Sequence, residues 1–171
     1  MKGYIQIYTG NGKGKTTAAL GLTLRAVGAG KKVFFAQFVK GQIYSEVKAI
    51  QQFIPSVEIR QYGLACFIRN APTQADIEVA RKGFKEAAEM IFSGKYDVVV
   101  LDEANIAIYY GLFSVDELIE VLRQKPSETE IIITGRYAVP ELIAIADLVT
   151  EMQEVKHYYN EGVQARTGIE C

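Results

Sequence analysis

The chain has no tryptophan, one histidine, two cysteines and almost no net charge, −1 from 19 lysines and arginines against 20 aspartates and glutamates. Cys66 and Cys171 lie far apart and form neither a CxxC pair nor a disulfide framework. A four-cysteine zinc site is therefore excluded. No neighbouring base or helix start would activate the Cys66 thiol. The lone His157 is more economically a structural or surface group than a catalytic one. Charge balance leaves no basic footprint for nucleic acid or for an anionic membrane surface. No apolar run approaches membrane-spanning length, and the first residues lead straight into a strand pattern rather than an export signal. The chain reads as cytoplasmic.

What is present fits one domain. A chain of 171 residues with 49% apolar content is long enough to bury a substantial core and argues against long disorder. No internal repeat, low-complexity segment or linker divides it, so residues 1–171 are expected to form a single unit.

The most informative stretch is Thr9-Gly10-Asn11-Gly12-Lys13-Gly14-Lys15-Thr16-Thr17. It follows an alternating run from Tyr4 to Tyr8 and opens a helical pattern running from Thr16 to Ala29. Strand, glycine loop and helix are the context of a Walker A phosphate loop. The loop's N–H groups turn inward around an anion, at the positive end of the helix. Lys15 would reach the outer phosphates, and the Thr16 hydroxyl would ligate Mg²⁺. Thr9 stands where the G-x-x-x-x-G-K-T pattern has glycine. This reading expects a bound nucleoside triphosphate.

A second motif is Asp97-Val98-Val99-Val100-Leu101-Asp102-Glu103, an apolar run ending in two acids. Such runs are central strands of parallel sheets. Acids at their carboxyl ends sit where ligands of open α/β sheets bind, and their oxygens suit a hard cation. Elsewhere, strand and helix patterns alternate. Strands are predicted at Lys32–Phe38, Val57–Tyr62, Ile131–Thr134 and Leu148–Val155. Thr73-Gln74-Ala75-Asp76 resembles a capping box, whose helix would bury Ile77, Ala80, Phe84, Ala87 and Ile91. Ser114 with Glu117 starts another helix reaching about Lys125, and Pro140 suits a helix first turn. Repeated alternation predicts an α/β fold with a mainly parallel sheet and helices on both faces. Gln37-Phe38-Val39-Lys40-Gly41 and Thr134-Gly135-Arg136 should then open on the same edge as the phosphate loop. The connector from Gly63 to Pro72 reads either as a flexible lid or as apolar residues tucked into the core. Tyr109-Tyr110 and Tyr158-Tyr159 read as half-buried aromatics.

In order along the chain, the Thr9–Ala19 loop, Gln37–Gly41, Val99–Glu103, Ile133–Arg136, Val155-Lys156-His157, Gly162-Val163-Gln164-Ala165 and Gly168-Ile169-Glu170 closely resemble the P-loop corrinoid adenosyltransferases. These are the ATP:cob(I)alamin or cob(I)yrinic acid a,c-diamide enzymes. The resemblance covers nearly the whole chain, Thr9 included. It implies a RecA-like P-loop NTPase fold and transfer of the 5′-deoxyadenosyl group of ATP to the cobalt of a reduced corrinoid, with release of triphosphate. It further implies a homodimer, Mg²⁺ (or Mn²⁺) as cofactor and a flavoprotein reductant. Carried over by position, ATP contacts fall on Gly10, Asn11, Gly12, Lys13, Gly14, Lys15 and Thr16, with Arg25 and Arg136 as further candidates. The metal would sit on Thr16 and Glu103, with Asp102 beside them, so that Lys15, Thr16 and Glu103 carry catalysis. The nucleotide is implied to lie reversed on the loop, presenting its ribose to the acceptor.

One departure stands out. Better-known members place Phe-x-Trp just after the glycine corresponding to Gly63, where this chain has Leu64 and Cys66, then Phe67. Leu64, Cys66 and Phe67 are the expected cover for the lower corrin face. The competing classes are a small-molecule kinase, with Asp102 as base, and a nucleotide-driven switch ATPase.

Overall fold

A computed structural model describes residues 2–64, 68 and 71–170 of the chain. Its frame is a six-stranded sheet in the order β3-β2-β4-β5-β1-β6. The strands are β1 (Ile5–Thr9), β2 (Val33–Phe38), β3 (Val57–Tyr62), β4 (Val98–Asp102), β5 (Glu130–Thr134) and β6 (Leu148–Glu151). Every pairing is parallel, so every strand points its carboxyl end at the same edge. Among the described residues the α-helices are α1 (Lys15–Gly28), α2 (Ser45–Phe53), α3 (Gln74–Phe92), α4 (Ala104–Tyr109), α5 (Val115–Arg123) and α6 (Pro140–Ile145).

Alternation along the strands divides the core in two. Phe34, Ala36, Phe38, Val99, Leu101, Ile131 and Ile133 face the side packed by α3, α4, α5 and α6. Val33, Phe35, Val98, Val100 and Ile132 face the opposite side, against Ala19 and Ala26 of α1 and Ile50 of α2. Helices on both faces explain why β2 and β4 are buried at every position and are apolar but for Gln37 and Asp102. The capping box predicted at Thr73 forms, and the helix start predicted at Ser114 and Glu117 is a second one. Thr73 and Ser114 each accept from the N–H three residues on, and the Asp76 and Glu117 carboxylates each return the bond. On α3, Ala80, Ala87 and Ile91 are buried, while Ile77 and Phe84 are only partly covered.

Three local readings need correction. The last strand stops at Glu151 rather than Val155. Its single partner, β1, ends at Thr9, paired with Glu151, so no ladder remains beyond that point. Helices α2 and α4 carry no strong local signal. Each is short, and an apolar run such as Ala104–Tyr109 cannot be told from a strand by periodicity. Helix α5 also ends two residues before Lys125.

Phe113 locks α3 to the sheet. It is 2% exposed, its ring lies 5.2 Å from Phe38 and it stacks on Phe84 at 4.7 Å. Phe113→Ala should therefore cost about 3–5 kcal/mol of unfolding free energy, measured by urea denaturation. A loss under about 1 kcal/mol would mean that this layer does not hold the fold together.

Candidate active site

Residues 10 to 14, three of them glycines, carry the chain from β1 to α1. Gly10 and Gly14 take φ values of 92° and 121°, which side chains with a Cβ rarely adopt. Helix α1 starts with neither a capping side chain nor an acid in its first turn, leaving its positive end to an anion. The loop is braced from outside. The Gly12 N–H donates to the Met152 carbonyl at 2.7 Å, and a Cβ on Gly12 would lie 2.7 Å from the Gln153 carbonyl.

The two loop lysines do different things. Lys15 spans the loop, its Nζ donating to the Gly10 and Gly12 carbonyls at 2.8 and 2.7 Å. Burial lowers its pKa. Lys13 points outward and pairs with Glu170 at 2.8 Å while donating to the Tyr158 hydroxyl at 3.0 Å. Arg166 also reaches Glu170, at 3.1 Å, and Arg166, Lys13 and Tyr158 together hold the Glu170 carboxyl far below the usual range. Near this junction a smaller hollow of about 250 Å³ is lined by Gly12, Lys13 and His157, among others. His157 accepts from the Tyr159 N–H at 3.1 Å. Asn11 is exposed on the loop.

Asp102 is the hub of the acid cluster. It has no solvent exposure. Its Oδ1 accepts from the Thr16 hydroxyl at 2.9 Å and the Thr134 hydroxyl at 2.6 Å. Its Oδ2 accepts from Lys40 Nζ at 2.9 Å and Gln37 Nε2 at 3.3 Å. Strand order makes this possible: β5 lies between β4 and β1, so Thr134 at its end bridges the acid to the loop side. Glu103 follows in a left-handed conformation with φ 59°. Its N–H donates to Thr134 Oγ1 at 3.0 Å, and its carboxylate lies 4.0 Å from Lys40. Burial, and then the adjacent Asp102, raise its pKa, with Lys40, Lys15 and Arg136 opposing.

A cavity of about 440 Å³ opens beside this cluster. Lys15, Lys40, Glu103 and Arg136 supply its charged wall, and Val39, Ile68, Ile106, Tyr110 and Tyr137 its apolar wall. Tyr137, at φ 63°, packs against Tyr109 with ring centroids 4.4 Å apart. The structure thus gathers Lys15, Thr16, Asp102, Glu103 and Arg136 on one edge. Arg25 is not among them: it is exposed in the last turn of α1, ten residues beyond Lys15 or about 15 Å along the axis. Leu64 is exposed, and Cys66 and Phe67 lie outside the described residues. Ile68, from the same connector, does line the cavity, and its carbonyl accepts from the Tyr110 hydroxyl at 3.3 Å. Sequence reasoning gave no role to Gln37, Lys40, Thr134 or Tyr137. The available signal was position, since all four fall at or just past the carboxyl end of a strand.

The donor set fits magnesium. Among the described residues no group of three His, Cys, Asp or Glu side chains could cage a metal. Thr16, Asp102 and Glu103 offer hard oxygens on one side only, as suits an ion that keeps waters and takes its remaining ligands from phosphates.

Glu103 should cost the ligand-free protein stability. A carboxyl whose folded pKa is raised favours folding below its unfolded pKa and loses that contribution as pH rises through the folded value. Glu103→Gln should therefore melt higher than the native chain at pH 7, with the gap closing toward pH 4, in paired thermal melts. A lower melting temperature at pH 7 would show that the carboxylate is a net stabiliser.

The geometry is matched by relationships across the whole chain. The profile of the family described as ATP:corrinoid adenosyltransferase BtuR/CobO/CobP matches residues 1–171. A corrinoid adenosyltransferase of Pseudomonas aeruginosa is 35% identical over 99% of this chain and 84% of its own length. One from Sinorhizobium is 36% identical over 99% of this chain and 80% of its own. Corrinoid adenosyltransferase CobA of Salmonella typhimurium is 35% identical, again over 99% of this chain, and over 86% of its own. With a parallel sheet, a phosphate loop and an acid pair meeting at one edge, the chain belongs to the ATP:corrinoid adenosyltransferase family.

Proposed function

We propose that the enzyme transfers the 5′-deoxyadenosyl group of ATP to the cobalt of a reduced corrinoid. The observation that carries the reading is a single cavity with the phosphate-loop lysine on one wall and aromatic and aliphatic side chains on the other. Such a cavity suits a substrate pair that is densely charged at one end and broad and apolar at the other.

A doubly reduced cobalt centre is itself a strong nucleophile, so no side chain has to be activated. Its electron pair forms the cobalt–carbon bond at C5′ as the bond from C5′ to the triphosphate oxygen breaks. That oxygen leaves with the bonding pair. The protein's work is alignment and charge stabilisation. Lys15 leaves the loop carbonyls to meet the departing phosphates, joined by the loop N–H groups and the positive end of α1. Thr16, Glu103 and Asp102 would hold magnesium, which when bound neutralises part of the triphosphate charge. Arg136, exposed at the cavity rim, is placed to meet the nucleotide. Ile68, Ile106, Tyr110 and Tyr137 line the wall that would exclude water from the corrin side. The resemblance assigns Leu64, Cys66 and Phe67 to the same task.

No helix among the described residues is long and apolar enough to cross a membrane. The proposal places the enzyme in the cytoplasm, as a homodimer, with cob(I) supplied by a flavoprotein reductant.

Incubation with ATP and chemically reduced cobalamin or cobinamide should yield the cobalt–carbon product spectrum and one equivalent of triphosphate by ³¹P NMR. ADP without a cobalt–carbon product would indicate a kinase instead, and ADP with phosphate a switch ATPase. Lys15→Ala should keep its fold by circular dichroism and lose about 10³–10⁴ in rate. Native turnover in that variant would contradict the assignment.

A further inference from the structure

Among the described residues, Lys40 is the cation bonded to the oxygens where a metal would sit. The Thr16 hydroxyl has a single proton, and Asp102 takes it at 2.9 Å. What remains on that oxygen is its lone pairs, and Lys40 Nζ already donates to them at 3.1 Å. The same ammonium bonds the fully buried Asp102 at 2.9 Å and lies 4.0 Å from Glu103. These three side chains are the oxygen donors assigned to magnesium. A second positive charge on the same hydroxyl, beside a fully buried carboxylate, would be strongly repelled by the first.

The backbone supports a side chain held in place rather than one drifting near acids. Val39, immediately before Lys40, is at φ 60°, an outlier for a β-branched residue and a sign of strain at a functional position. The strained turn is clamped against the strand-end beside it. The Val39 N–H donates to the Tyr62 carbonyl at 3.2 Å. Gly63 and Gly41 let the two chains touch: a Cβ on Gly63 would lie 2.4 Å from the Lys40 nitrogen, and one on Gly41 would lie 2.3 Å from the Gly63 carbonyl. Lys40 also lines the main cavity, so its flexible four-carbon stem has space to enter when the ammonium is displaced.

We infer that Lys40 is a built-in cation that holds Thr16, Asp102 and Glu103 in register in the ligand-free enzyme and is exchanged for the divalent ion as magnesium–ATP binds. This rests on the reading that the metal sits at Thr16 and the acid pair. It makes Lys40 a positioning residue. Without it, the buried Asp102 carboxylate would lose the ammonium bonded directly to it until the metal arrived. After the exchange the ammonium is released into the cavity that takes the triphosphate, so no positive charge is lost from the site during loading.

The test reads metal rather than product. Mn²⁺ alone, titrated into ligand-free protein and followed by the EPR signal of the free ion, should bind Lys40→Met about tenfold more tightly than the native chain, because the competitor is gone. Lys40→Met should also melt lower than native without metal and recover more of its melting temperature on adding Mg²⁺. If Lys40→Met folds only with metal present, that dependence supports the exchange, and Lys40→Gln, which keeps a hydrogen-bond donor but no charge, supplies the affinity measurement. A folded Lys40→Met or Lys40→Gln that binds Mn²⁺ no more tightly than native would overturn the inference, leaving Lys40 a structural ion pair. Corrinoid adenosylation with unchanged Mn²⁺ affinity would remove the exchange alone. Tighter Mn²⁺ binding without adenosylation would remove the proposed reaction alone.

Discussion

A carboxylate with no access to water has to be surrounded by donors, and the site of this enzyme is organised by how Asp102 meets that demand. Its four partners among the described residues come from three places in the chain: Thr16 at the start of α1, Gln37 and Lys40 at and beyond the end of β2, and Thr134 at the end of β5. Each reaches Asp102 only because the sheet is parallel and ordered so that these ends converge. Breaking such a buried pair by removing one partner typically costs about 3–5 kcal/mol, so the cluster fixes the loop to the sheet as well as preparing the chemistry. Glu103, one residue on, is turned into the cavity by its left-handed backbone while Asp102 stays behind it. Adjacent acids thereby take separate roles: one organises the donors, and the other faces the substrate.

The phosphate loop is held from two directions. From inside, Lys15 ties together the Gly10 and Gly12 carbonyls. From outside, Met152 and Gln153 pack against Gly10 and Gly12, and beyond them Glu170 and Tyr158 take Lys13. A triphosphate entering the loop would displace only the inner set, whose lysine already has a lowered pKa from burial and gains most from an anion. The outer brace continues β6 after its ladder ends. A short, exposed edge strand thereby shapes the loop although it contributes little to the core.

What could be read from the residues was local. The phosphate loop, the acid-terminated central strand and both capping boxes declare themselves within ten residues each, because their physics is confined to one turn or one strand. Repeated alternation then gave the parallel sheet. What escaped depended on which strands are neighbours. Nothing near Lys40 says that it will meet an acid 62 residues away, and Thr134 becomes a bridge only when β5 lies between β4 and β1. Arg25 shows the converse: it sits on the helix that follows the loop, yet lies at that helix's far end. Helix α2 was missed although Val47 and Ile50 bury the spacing of one helical face, because nine residues give that period little room. The strain at Val39 has no sequence signal at all, since valine is a residue that normally avoids that backbone region.

Asp102, through Thr16, should make nucleotide binding depend on a divalent ion. Calorimetric titration of ATP into the native enzyme and into Asp102→Asn, each with Mg²⁺ and with EDTA, measures that dependence directly. EDTA should weaken ATP binding to the native chain by about tenfold or more and make almost no difference to folded Asp102→Asn. An equal magnesium dependence in both proteins would contradict it.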